Sequence, residues 1–214
     1  HRYDLAEKEY DEAISILCML SEEHPTDFLP DVARSIGNLA NLHSNIHKYD
    51  IAEVEYNEAI SIYRKLAEKD PDVYLPDVAR NMRNFALLHV DLHKYDLAEY
   101  EFNKALEIHR ELAEKNPNAF LSDVAINLGD LATLNKILLK YDLSEEEYNG
   151  SLAIYRKLAD VNPDTFLPDV AQNVRKLASL HYDLDMYDIA EREYVEAISI
   201  HSNLAEDSPE IYNP

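Results

Sequence analysis

The chain has 214 residues, with 20 Lys+Arg against 42 Asp+Glu, a formal net charge of −22. So acidic a surface repels phosphate and anionic lipid, which argues against nucleic acid and membrane surfaces as partners. With 46% hydrophobic residues the charge does not imply disorder. The lone Cys18 excludes an internal disulfide and suits a reducing, cytoplasmic compartment. No apolar run approaches the ~18 residues of a membrane span.

Tyr-Asp recurs at Tyr3, Tyr49, Tyr95, Tyr141 and Tyr187, always at a step of 46. The prolines follow the same register: Pro25, Pro71, Pro117, Pro163 and Pro209 at one position, Pro30, Pro76, Pro168 and Pro214 at another, where the third unit has Ser122. Repeats therefore organise the whole sequence. The units are 3–48, 49–94, 95–140, 141–186 and a partial 187–214. The register runs from a helix without its partner to a proline that opens another, so the expectation is a fragment of a longer array, or ends that self-associate through uncapped helices.

Each unit reads as two helices. Helix B begins at Tyr-Asp, and its Asp is followed three residues later by Glu (Asp4/Glu7, Asp50/Glu53, Asp96/Glu99, Asp142/Glu145, Asp188/Glu191), a capping-box spacing. Apolar residues then recur at helical steps, as in Tyr49, Ala52, Tyr56, Ala59, Ile60 and Tyr63. Lys-Asp-Pro or Lys-Asn-Pro stops it. A short loop such as 70–75 follows, and helix A opens at Pro-Asp-Val-Ala, proline suiting a first helical position. Ala33, Ile36, Leu39, Ala40 and His43 share one face of helix A. The expected fold is all-α, a solenoid of antiparallel helix pairs with nine helices.

Small residues stand three and ten residues after each repeat tyrosine (Ala6, Ala52, Ala98, Ser144, Ala190; Ala13, Ala59, Ala105, Ser151, Ala197), and an aromatic seven after it (Tyr10, Tyr56, Phe102, Tyr148, Tyr194). Leu39-Ala40, Phe85-Ala86, Leu131-Ala132 and Leu177-Ala178 occupy the matching place in helix A. This pattern resembles the tetratricopeptide repeat (TPR), in a long-period form similar to kinesin light chain and to bacterial arrays beside signalling ATPase or peptidase domains. The resemblance implies a right-handed superhelix whose A helices line a groove for extended or helical peptides.

The implied groove residues differ between units. They include Arg34, Asn41 and Asn45; Arg80, Arg83, Leu87 and Asp91; Thr133 and Lys136; and Arg175, Ser179 and Tyr182. Gly37 and Gly129 share this face, and a helix-interior glycine costs ~1 kcal/mol against alanine, which hints at close approach of a ligand. The carboxylate clamp of chaperone-binding relatives is broken here, with Gly37/Asn41 and Arg83/Leu87 at its first two places.

His43/His47 and His89/His93 have a chelating spacing but no third ligand at fixed distance, so they read as packing between A and B, with no metal or other cofactor. The tyrosine ladders read as core. Asn149-Gly150-Ser151 is a glycosylation sequon inside a helix and is discounted. No catalytic constellation is found, so the expectation is a non-enzymatic scaffold. Its partner is a protein or peptide, bearing acidic side chains or a carboxylate for Arg80, Arg83 and Arg175. The alternative is a regulatory arm of a larger signalling ATPase or peptidase. The A segments (30–48, 76–94, 122–140, 168–186) sum to +1, so the acidity belongs to the B helices and loops.

Overall fold

A computed structural model describes residues 2–207; His1, Pro209, Tyr212 and Pro214 of the repeat register lie outside the described residues. Among the described residues there are nine helices and no strands. One compact unit runs to Leu112 and contains α1 (Arg2–Glu23), α2 (Pro25–Asn45), α3 (Tyr49–Ala67), α4 (Pro71–Asp91) and most of α5 (Tyr95–Lys115). The other begins at Ala113 and contains α6 (Pro117–Ile137), α7 (Tyr141–Ala159), α8 (Pro163–Asp183) and α9 (Tyr187–Asp207). α1 to α4 pack each on the next, as do α6 to α9, so the chain is an all-α solenoid of helix pairs. No described helix is long and apolar enough to cross a membrane.

The A helices start earlier than expected. Residues 70–75 are not a loop, because α4 opens at Pro71, and α2, α6 and α8 open at Pro25, Pro117 and Pro163. At that first position the missing amide costs nothing. The second proline lies inside the helix as Pro30, Pro76 or Pro168, where it cannot donate to the preceding turn. Ser122 spares α6 this break.

The A helices end on a residue forced into the left-handed region. His47, His93, Leu139 and Asp185 have φ of 57 to 61°. The next amide reaches back to the helix in each case, Lys48 to His43, Lys94 to His89, Lys140 to Asn135 and Met186 to His181, at 2.8–2.9 Å. This is the Schellman pattern, usually completed by glycine. It also separates the histidine pairs: His47 and His93 leave the helix, and their Nδ1 atoms lie 2.6 and 2.8 Å from the hydroxyls of Tyr49 and Tyr95.

Close approach is set by small residues. Ala33, Ala40, Ala52 and Ala59 are wholly buried, and the Tyr56 ring fills the space beside them, stacked on Phe85 at 5.5 Å. Ser144 and Ser151 replace alanine in α7 and are also wholly buried. Their hydroxyls donate to the Ala132 and Ala125 carbonyls at 2.8 and 2.7 Å, which removes the penalty of burying them. The sequon's Asn149 is exposed while its serine is inaccessible. Tyr56, Tyr63, Tyr148 and Tyr155 are core as expected, whereas Tyr3 and Tyr187 are more than half exposed.

The capping box is not formed in α3 or α7. Lys48 and Lys140 occupy the N-cap positions of α3 and α7, with no side-chain cap bond. The glutamate of the expected box reaches the lysine at the far end of its own repeat instead: Glu7 to Lys48 at 2.7 Å and Glu53 to Lys94 at 2.5 Å. Lysine hydrogen bonding holds both carboxyls below the usual range, with the nearby histidines adding to it. A second glutamate per unit binds the buried histidine of the preceding A helix, with Nδ1 2.7 Å from Glu55 at His43, 2.8 Å from Glu101 at His89 and 2.7 Å from Glu193 at His181. Asn135 donates to Glu147 at 2.8 Å in the same place. On the other side of each ring, Nε2 is 3.3 Å from Glu7 at His43, 3.1 Å from Glu53 at His89 and 3.4 Å from Glu145 at His181. Only the His43 contact is too poorly aligned for a hydrogen bond. Each histidine thus ties its A helix to the B helices before and after it. Burial pushes the Glu55 carboxyl up, against the pull of His43.

Packing explains Gly37 but does not require glycine at Gly129. A Cβ on Gly37 would lie 2.4 Å from Asn81 Oδ1, and Asn81 is tethered through its amide to the Asp77 carbonyl. A Cβ on Gly129 would meet Asn173 and Ser151 at 3.4 and 3.5 Å, ordinary contact. Gly129→Ala should therefore stabilise the protein by about 0.5–1 kcal/mol through helix propensity, while Gly37→Ala should destabilise it by a similar amount through overpacking. Chemical unfolding of both variants checks the opposite signs. Leu139 is 69% exposed, so Leu139→Gly relieves left-handed strain and loses little burial; a gain of about 0.5–1 kcal/mol is expected in the same assay.

Candidate partner-binding groove

Four of the residues of α2 and α4 expected to face a groove, Asn41, Asn45, Leu87 and Asp91, converge on one cavity of about 320 Å³. Its floor is a polar network: the Tyr56 hydroxyl donates to Asn41 Oδ1 at 2.6 Å, and Asn84 Nδ2 donates to the same oxygen at 3.1 Å. Burial pushes the Tyr56 phenol up, so it is a permanent donor. Asn41 keeps its own amide hydrogens and Asn84 its carbonyl for another molecule. Leu87, 38% exposed, and Val90 form an apolar wall, and Asn45 and Asp91 line the same cavity. Asn41, Asn45, Leu87 and Asp91 are thus brought together.

The arginines lie apart from this cavity. Arg34 pairs with Asp31 of its own helix at 2.5 Å, and Arg80 pairs with Asp77 in the same way. Both are well exposed, so each pair contributes at most ~1 kcal/mol. The Tyr63 hydroxyl donates to the Pro30 carbonyl near these pairs, and its phenol is pushed up to about 12, by burial first and by Asp77 second. Arg83 is half-buried on α4, at the place Gly37 holds on α2.

In the other unit, Lys136 Nζ donates to Ser179 Oγ and pairs with Asp183, both at 2.8 Å, so α6 and α8 are joined across their groove faces. Thr133 Oγ1 donates to the Gly129 carbonyl at 2.7 Å and lies 3.0 Å from the Tyr148 hydroxyl. Arg175 and Tyr182 are exposed, the latter edge-on to Tyr187 at 5.5 Å. Sequence reasoning missed Asn84 and the hydroxyl of Tyr56. Position 84 carried a signal, since its equivalents are Asn38, Asp130 and Lys176, as variable as the rest of that face.

Residues 32–72 match the family model of the tetratricopeptide repeat. No curated protein matches the sequence. The apo form of RapI superposes with a TM-score of 0.69 at 18% identity, over 92% of this chain and 50% of that one. A Rap protein complexed with Competence and Sporulation Factor gives 0.67 at 18%, over 96% and 53%. A Podosopora anserina putative kinesin light chain with nearly identical TPR-like repeats gives 0.64 at 12%, over 95% and 94%. This chain spans about half the length of the two Rap structures, and at these identities the likeness is one of fold. The matched segment is one turn of a register that recurs every 46 residues with the same small and aromatic residues.

Proposed function

We propose that the chain is a cytoplasmic, non-enzymatic scaffold that holds a peptide or an extended partner segment against its A helices. The cavity between α2 and α4 carries this reading. Its asparagine amides offer donors and acceptors in one place, as a peptide main chain requires, and Leu87 and Val90 offer an apolar surface for a side chain. Arg34, Arg80 and Arg83 supply charge for acidic side chains or a carboxylate in this unit, and Arg175 does so in the other, where Thr133, Lys136, Ser179 and Tyr182 give the A helices a polar face of their own. The Rap complex supports it as a precedent for ligand binding by this fold. Self-association is supported by exposed apolar residues on the terminal helices, Leu5 and Met19 on α1 and Val195 and Ile198 on α9.

Peptides selected from a random library on the immobilised chain test the groove. Leu87→Asp should weaken the selected binders at least tenfold, about 1.4 kcal/mol, while Val54→Asp on exposed α3 surface should leave them unchanged. Binders insensitive to Leu87→Asp would place the site elsewhere. Multi-angle light scattering checks self-association: a mass that stays at 24.7 kDa at high concentration would remove it.

A further inference from the structure

His89 is buried on the last turn of α4, with a carboxylate on each side of its ring. Nδ1 is 2.8 Å from Glu101 on α5, and Nε2 is 3.1 Å from Glu53 on α3. A neutral imidazole has one N–H, so its second nitrogen would turn a lone pair toward a carboxylate. Imidazolium donates at both ends and satisfies both glutamates. Lys94, from the connection between α4 and α5, is the other charge at this place, bound to the same Glu53 oxygen at 2.5 Å. The Phe85 ring, with its centroid 4.2 Å away, covers the imidazole from its own helix. With the ring charged, two cations face two carboxylates. Without that proton the site holds an excess negative charge, little screened where water is scarce.

The same turn of α4 carries Leu87, Val90 and Asp91, which line the groove cavity on its other side. His89 therefore holds from behind the wall that the cavity presents in front. We propose that His89 is a proton-operated latch: protonated, it ties the last turn of α4 to α3 and α5 and fixes the cavity wall; deprotonated, it releases that turn. Burial opposes the ring's charge, yet the hydrogen bonds and charges of Glu101 and then Glu53 outweigh it, and the pKa lies above the ordinary value. A folded value above the unfolded ~6.5 means the latch contributes its full stability below about pH 6.5 and loses it as pH rises through the folded value. Asn135, in the same place on α6, has no proton to lose and is an internal control.

The experiment is NMR of the full chain with labelled histidine from about pH 5.5 to 9.5, together with amide hydrogen exchange corrected for intrinsic rates. Both ring nitrogens of His89 should be protonated at pH 6. As the ring titrates, exchange at Leu88–Asp91 should accelerate at least tenfold, while Leu134–Ile137 of α6 stay unchanged. His89→Gln should abolish the step. Should that variant fail to fold, Glu53→Gln removes one carboxylate, keeps the ring and should move titration and step together to lower pH. A neutral ring at pH 6, an absent step, a step that survives His89→Gln, or a step that stays in place in Glu53→Gln while the ring's titration moves would each overturn the latch.

Discussion

The constraint on which the rest of the structure depends is the close approach of A and B helices at small residues. With Ala33, Ala40, Ala52 and Ala59 at zero exposure, neighbouring backbones come near enough for one aromatic ring per repeat to fill what remains. Nothing larger fits at those points without moving a helix, and interiors packed at crystal-like density resist such movement. Serine is admitted at Ser144 and Ser151 because each hydroxyl finds a carbonyl on the facing helix. Fixed spacing between helices is what lets longer side chains meet at constant distances from unit to unit.

The carboxylate bridges exploit that constancy. Glu53 lies on α3, His89 on α4 and Glu101 on α5, and Glu145, His181 and Glu193 repeat the arrangement on α7, α8 and α9. Apolar packing alone is tolerant of sliding, since one methyl replaces another at little cost. Hydrogen bonds between charged groups are directional and lose strength over fractions of an ångström. We read the bridges as setting register within a stack whose bulk stability comes from buried apolar surface. Substitution of Asn135 for histidine keeps the bond to Glu147 but leaves a buried amide oxygen without a hydrogen bond.

Repetition made the fold legible in the sequence, and repetition also hid part of it. The 46-residue register, the helix pairs and the aromatic and small positions all follow from residues that recur in phase. The invariant glutamates recur too, but Asp50 and Glu53 have the spacing both of a local cap and of a first turn whose outer carboxylate is free to reach the far end of the same repeat. Only the distance to Lys94, 41 residues away, separates the two. The early start of the A helices was obscured by two prolines five residues apart, since either can open a helix. Gly37 looked like room for a ligand because one sequence cannot tell which neighbour takes the vacated space; Asn81 does. The groove was legible as a set of positions, while its polar floor depended on a core tyrosine hydroxyl with no distinctive spacing.

The charge distribution then bears on what such a groove selects. Against a net −22, the A segments are near neutral, and Arg34 and Arg80 already have aspartates of their own helices as partners. An incoming carboxylate must compete with Asp31 or Asp77 for the guanidinium, so its gain is the difference between two exposed ion pairs and is small. The amides of Asn41 and Asn84 are indifferent to charge and face an apolar wall. Affinity in this unit would thus come from main-chain hydrogen bonds and a side chain seated on Leu87 and Val90. The arginines would discriminate among partners at the edge, where the acidic surface beyond already repels most anions.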